Sequence, residues 1–220
     1  MSRVLPILFN TDMVRAILDG RKTATRRICK DANEFTVPDM SFFDDEKRTY
    51  AVHNYADAEH TDKLSVAERT CPICPGDILY VRETWCKSPF TDNYIYRADG
   101  ERELFSQSYD SEIMDDTVWT WKPSIHMPKE AARIFLKVKD VRVERLQDIT
   151  EEQAEKEGAI DNRGFIHSSG NEYTQIHTAK EQFIDIWNST IKKADLKQYG
   201  WGANPWVWVI EFERCEKPEG

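Results

Sequence analysis

The sequence predicts an α+β fold built on a small, curved, barrel-like sheet, and three observations lead there. Several short apolar strands are interrupted by short helices. Ile134, Leu136 and Val138 alternate with polar neighbours, and Val141 and Val143 then alternate on the opposite parity. Such a slip predicts a β-bulge near Lys139-Asp140, a device of curved or barrel sheets. At 220 residues and 40% hydrophobic content, the chain can bury the core of one domain that carries insertions. The insertions are expected at 31–74, 99–120 and 159–177.

The elements follow in order. Asn10 or Thr11 caps a short amphipathic helix with Met13, Ala16 and Ile17 on one face, and Gly20 sits where a left-handed stop is expected. Asp31 to Thr70 is polar and acidic with isolated aromatics and no sustained period, the mark of an insertion. Pro75-Gly76-Asp77 is a turn, and Ile78 to Glu83 reads as a strand buried on both faces. A second strand covers Tyr94 to Ala98 before the turn signal Asp99-Gly100, and residues 101–117 form an acidic loop. Thr150-Glu151-Glu152-Gln153 is a capping box opening a helix that Gly158 closes. A further helix from Thr178 to Thr190 aligns Phe183, Ile184, Trp187 and Ile191. Trp206, Trp208, Ile210 and Phe212 share one side of the last strand.

Composition narrows the function classes. No apolar stretch is long enough to cross a membrane and the N-terminus lacks the apolar run of a signal peptide, so a cytoplasmic protein with no membrane partner is expected. Five cysteines, an odd number, fit reduced thiols better than a disulfide framework. The net charge of −9 is unevenly distributed: residues 1–30 carry seven Lys/Arg against two Asp/Glu, whereas residues 31–70 carry four against ten. A basic face can therefore exist on an acidic protein, and local potential steers an anionic ligand. The plainer alternative is that these charges are solvated surface.

The densest basic cluster is Gly20-Arg21-Lys22-Thr23-Ala24-Thr25-Arg26-Arg27, four cations and two hydroxyls immediately after a helix end. It differs from a phosphate loop, because Arg21 separates Gly20 from Lys22-Thr23 and the earlier glycine is missing. Cys71-Pro72-Ile73-Cys74 has the spacing of half a zinc site, which Cys29, Cys86 or His53 would have to complete. A single pair with two flanking prolines reads more simply as a tight loop, and no metal or other cofactor is expected. Trp85, Trp121 and His126 are candidates for a base pocket, since aromatic faces stack on nucleobases and a histidine bonds their edges. Core or wall packing competes with that reading. Glu83, beside Arg82 at a strand end, is an acidic candidate that also reads as a structural ion-pair partner.

The helix, the Gly-Arg-Lys-Thr-x-Thr-x-Arg turn, the Pro-Gly-Asp-x-Leu strand entry, the Asp-Ile-Thr-Glu-Glu-x-Ala-x-x-Glu-Gly helix and the closing Val-Ile-Glu-Phe strand occur in that order. Together they resemble the ASCH domain family, whose fold is the PUA-like pseudo-β-barrel. The matching stretches are 13–28, 75–83, 133–158 and 206–213. The segment from Trp121 to Pro128 is similar to a longer subgroup often carried by phages and prophages. The resemblance implies a cavity for RNA, single-stranded nucleic acid or a modified nucleoside. One bacterial branch is an N4-acetylcytidine amidohydrolase. Its site residues, carried onto matching positions, are Lys22, Thr25 and Glu157; Thr23 and Arg27 match the same turn. This chain is about twice as long as that branch, and its insertions would reshape the cavity.

Amide hydrolysis needs a nucleophile, a base, an oxyanion stabiliser and an acid for the leaving amine. The resemblance makes Thr25 the nucleophile, Lys22 the base and Glu157 the acid, with backbone N–H groups of the turn at the oxyanion. Lys22 serves as base if burial and the neighbouring cations Arg21, Arg26 and Arg27 disfavour its charged form. In an extended segment Lys22 and Thr25 point to opposite faces, so a bend between them is required. Two other classes compete. In a non-catalytic nucleic-acid-binding module, the arginines hold phosphates and Glu157 pairs with one of them. In a phage accessory protein, the acidic insertions bind a protein partner.

Overall fold

A computed structural model of the protein describes residues 2–33, 38–44, 49–55, 63–70, 72–88, 92–100, 120–161 and 177–218. Most of the segments 99–120 and 159–177, and Cys71, lie outside the described residues. Ten strands are named: β1 (Val4–Leu8), β2 (Ala24–Ile28), β3 (Pro38–Asp44), β4 (Thr49–Tyr55), β5 (Lys63–Thr70), β6 (Ile78–Arg82), β7 (Trp85–Lys87), β8 (Tyr94–Tyr96), β9 (Phe135–Arg145) and β10 (Trp206–Cys215). The helices are α1 (Thr11–Leu18), α2 (Lys30–Asn33), α3 (Glu151–Lys156), α4 (Ala179–Thr190) and α5 (Leu196–Tyr199). Among the described residues no helix is long and apolar enough to cross a membrane.

The fold is α+β. Five strands are hydrogen-bonded in the order β1-β6-β9-β10-β2, with β1 parallel to β6 and antiparallel pairs at β6/β9 and β10/β2, so the sheet is mixed. The expected barrel is not closed among the described residues: closure requires the two outer strands to pair, and here β1 and β2 end the sheet. β9 runs from Phe135 to Arg145 across the position where a bulge is expected, with Phe135, Leu136 and Val138 buried, Lys139 and Asp140 both exposed and 141–145 all half-buried.

Contacts divide the chain into two compact units, each discontinuous in sequence. The first comprises residues 1–22, 76–137 and 212–220. Here the Asn10 side chain caps α1 by accepting from the Met13 amide at 2.9 Å, and the helix buries Val14, Ala16 and Ile17. Gly20 turns the chain at φ +77°, and the Lys22 amide closes the helix end on the Ala16 carbonyl at 2.9 Å. Arg3 clamps the start of β1 to the turn before β6, donating from its guanidinium to buried Asp77 at 2.6 Å. In β6, Leu79 and Val81 are buried while Ile78, Tyr80 and Arg82 are half-buried. This alternation corrects the expectation of a strand buried on both faces. Ile78 and Tyr80 pack on a core of Trp85, Met127, Ala131, Ala132 and Phe135.

The second unit comprises residues 23–75 and 138–211. Its core joins Leu146, Ile149 and Ala154 to Phe183 and Trp187 of α4 and to Val207 and Val209 of β10. The expected capping box forms at Thr150/Gln153 on α3, and a second one is found at Thr178/Glu181 on α4. The segment read as aperiodic holds an antiparallel sheet, β3-β4-β5. Register shifts between Asp39 and Phe42 and between Asn54 and Tyr55 break the two-residue alternation, which hid these strands in the sequence.

Candidate functional site

The unit boundary falls between Lys22 and Thr23, inside the basic turn. On the first side, Arg21 is exposed and pairs with Asp19 at 3.0 Å. Lys22 is 2% exposed, with its Nζ 5.6 Å from the centre of the Phe9 ring. A lysine so deeply enclosed is unusual, because its ammonium group prefers water.

On the second side, the Thr23 amide donates to the Lys156 carbonyl at the end of α3 at 2.8 Å, and β2 begins at Ala24. Antiparallel pairing with β10 sets which way each side chain points. Arg26 lies opposite Val209 and Ile28 opposite Val207, so both face the core formed with α3 and α4. Thr25 lies opposite Ile210 and Arg27 opposite Trp208, on the other face of the strand. Thr25 is 1% exposed and Arg27 half-buried.

Arg26 and Glu157 meet. Glu157 is the C-cap of α3, followed by Gly158 at φ +93°, and its Oε1 accepts from an Arg26 Nη at 3.3 Å. The other Nη donates to Glu144 Oε2 at 3.3 Å and to Gln153 Oε1 at 3.1 Å. Arg26 Nε is buried without a hydrogen-bond partner, and the guanidinium lies 5.9 Å from the centre of the Phe183 ring. Glu144 in turn pairs with Arg142, which also reaches Glu211 at 2.6 Å and Asp140 at 3.1 Å. Arg142 is driven well above the ordinary arginine value by these hydrogen bonds, although burial opposes them. Arg27 is displaced downward by burial, which the negative charge of Glu157 partly offsets. The charge of Glu157 thus acts on Arg26 directly and on Arg27 through the field.

The remaining candidates lie in the first unit, apart from Cys74, which lies in the second. Glu83 is 1% exposed and held by Arg133 through both carboxylate oxygens. Burial raises its pKa above the ordinary glutamate value, while Arg133 pulls it back. Trp85 is a core residue, with its ring met by Lys122 Nζ at 5.0 Å and by the Tyr94 ring edge-on at 5.5 Å. Its backbone pairs with Lys122 in both directions, which fixes the 121–128 segment against β7. Trp121 is half-buried and His126 exposed. Cys74 is buried, and the four described cysteines are all free thiols.

The sequence marks Arg26 for a ligand contact and does not reveal Glu144 and Gln153 as its partners, nor Arg133 as the partner of Glu83. One signal for Arg26 was present: it lies two residues before Ile28, so a strand that buries Ile28 must turn Arg26 toward the same core.

Comparison with protein-family models, curated proteins and solved structures finds no match for this chain.

Proposed function

We propose that the chain is an ASCH-like protein of PUA-like ancestry that binds a nucleoside-type ligand at the basic turn and hydrolyses an N-acylated cytidine or related small amide. One observation carries this reading. Lys22, Thr25, Arg26 and Glu157, all from the two segments the resemblance marks, are four of the seven buried polar or charged residues among those described. Burying charge is expensive unless something compensates it. A phosphate-binding surface has no need of that expense, because its lysines and arginines work from water. Enclosed charged groups and an enclosed hydroxyl suit a small ligand taken out of solvent, where electrostatic effects on a reacting bond are strongest.

In the reaction that the resemblance implies, the Thr25 hydroxyl oxygen attacks the acyl carbonyl carbon and its proton passes to the Lys22 amine. The tetrahedral intermediate collapses as the C–N bond breaks, and the proton taken up by Lys22 is relayed through the Glu157 carboxylate to the departing N4 of cytidine. Water then cleaves the acyl-threonine ester, giving acetate and the free enzyme. The base role of Lys22 rests on the resemblance and on its burial.

Incubating the purified protein with N4-acetylcytidine and following cytidine and acetate tests the proposal. Turnover abolished by Thr25→Val, a near-isosteric loss of the hydroxyl, is the expected result. Absence of turnover by the wild type, or full turnover by Thr25→Val, sinks it. Exposed Arg21 and half-buried Arg27 favour a second reading, a non-catalytic nucleic-acid-binding module. That reading requires RNA affinity that falls steeply with salt and weakens in Arg21→Ala and Arg27→Ala while Thr25→Val binds normally.

A further inference from the structure

We infer that Arg26 is a positioning residue for Glu157 in this reaction, an inference that rests on the proposed amidohydrolase reading. Its guanidinium joins three acceptors from separate parts of the second unit: Glu157 after α3, Gln153 within α3 and Glu144 on β9. Gln153 Oε1 also accepts from the Thr150 amide at 3.1 Å, so the group that holds the end of α3 also grips the box that starts it. A six-residue helix is marginal alone and takes its placement from such ties. The Thr23 amide to the Lys156 carbonyl supplies a second tie at the same end.

Two features separate this role from ligand contact. Strand register turns Arg26 to the core face of β2, while Thr25 points the other way. Glu157 links the two faces: its carboxyl holds Arg26 on the core side, and its charge also acts on Arg27, which shares the Thr25 side; Arg26 therefore acts through Glu157. Energetically, the side chain is poorly chosen for stability alone: it is 1% exposed, its ion pairs are 3.3 Å long, and its Nε has no partner. A packed apolar residue in such a place is often neutral or stabilising. What an apolar residue or a lysine lacks is a planar fork that fixes a carboxylate relative to a helix.

The test uses the full chain as wild type, Arg26→Lys, Arg26→Ala, Glu157→Gln and the Arg26→Ala/Glu157→Gln double variant. With N4-acetylcytidine, Arg26→Ala is expected to lower kcat on the order of a hundredfold, as misplacement by about 1 Å does, with KM nearly unchanged. Arg26→Lys, which keeps the charge and folds more readily, loses nearly as much. Added guanidinium restores part of the Arg26→Ala rate, and the double variant is no slower than Glu157→Gln. Loss expressed only in KM, absence of guanidinium rescue, or a double variant slowed by the product of the two single effects overturns the inference. A readout independent of turnover is the 13C resonance of the Glu157 side-chain carboxyl, assigned by its loss in Glu157→Gln. It is expected to shift in both Arg26 variants. If the wild type fails to turn over the substrate, the functional reading falls. An unmoved Glu157 resonance in Arg26→Lys then overturns the positioning itself.

Discussion

Arg133 donates to both carboxylate oxygens of Glu83, at 3.0 and 3.1 Å, and with its remaining nitrogen to Asp99 at 2.7 Å. The same guanidinium lies 3.9 Å from the centre of the Tyr96 ring. With Glu83 at 1% exposure, this is a buried bidentate pair, and removing one partner leaves the other poorly compensated. Glu83→Ala is therefore expected to destabilise the protein by about 3 kcal/mol, the lower end for a broken buried pair, because Asp99 still holds Arg133. Replacing both by apolar residues, Glu83→Leu with Arg133→Met, should recover most of that loss. Urea unfolding measures it, and a change below about 1 kcal/mol in Glu83→Ala would show that the pair is not structural.

Tyr96 gives a dependence on alkaline pH with a defined sign. Its hydroxyl donates to the Ala131 carbonyl at 2.6 Å, and burial, against the pull of Arg133, pushes its pKa from 10.0 to about 12. Between these values the folded protein binds more protons at Tyr96 than the unfolded chain does. The stability from this group is thus complete below pH 10 and is lost as the pH rises toward 12. Tyr96→Phe should be less stable than wild type at neutral pH, by about 1 kcal/mol for the hydrogen bond. That gap should narrow across the alkaline window, because phenylalanine has no proton to lose. Unfolding midpoints at neutral and alkaline pH decide it; a constant gap contradicts the assignment.

Helix ends were the most legible part of this chain, because caps are set by residues within one turn of each other. Asn10, Thr150, Gly20 and Gly158 all occupy the cap positions that their neighbours imply. The last strand was also readable, although its burial on both faces was not, since Val207 and Val209 are enclosed along with Trp208 and Ile210. Strands β3 to β5 were not legible because shifts of register scramble their alternation. Sheet closure depends on which distant strands pair, and the parity slip around Lys139 carries no such information. At the candidate site, the sequence marked Lys22, Thr25, Arg26 and Glu157 but gave no indication of how deeply they are buried. It also pointed Arg26 at a ligand, whereas pairing with β10 directs it at α3 and Glu144.

Two glycines should respond to substitution for different reasons. Gly20 sits at φ +77° with nothing within 4 Å of an added Cβ, so Gly20→Ala meets only backbone strain, about 1 kcal/mol, and Gly20→Asn less. Gly200 has an ordinary φ of −66°, yet an added Cβ would lie 2.6 Å from the Leu196 carbonyl oxygen. That oxygen also accepts from the Gly200 amide at 2.9 Å, so the α5 end must open to relieve the clash. Gly200→Ala should therefore cost more than Gly20→Ala, about 2 kcal/mol. Thermal unfolding of the two variants ranks them, and the reverse order would contradict this account.

Glu157 offers the direct comparison between enclosed and solvated charge. It is buried beside Arg26 and offsets the burial that lowers Arg27, whereas Glu155, two residues earlier on α3, is exposed. Removing Glu157 leaves Arg26 with Glu144 and Gln153 only, and leaves Arg27 without the charge that compensated it. Glu157→Ala should thus cost on the order of 2 kcal/mol, less than for an isolated buried pair because two acceptors remain. Glu155→Ala should stay within about 0.5 kcal/mol of wild type. Salt separates the two further: screening weakens exposed charges over a Debye length but reaches buried pairs much less. The Glu157→Ala loss should therefore persist in high salt. Urea unfolding of both variants in low and high salt provides the measurement. Equal, small effects at the two positions would mean that the turn and α3 carry only solvated charge, which would remove the physical basis for an enclosed site at Arg26 and Glu157.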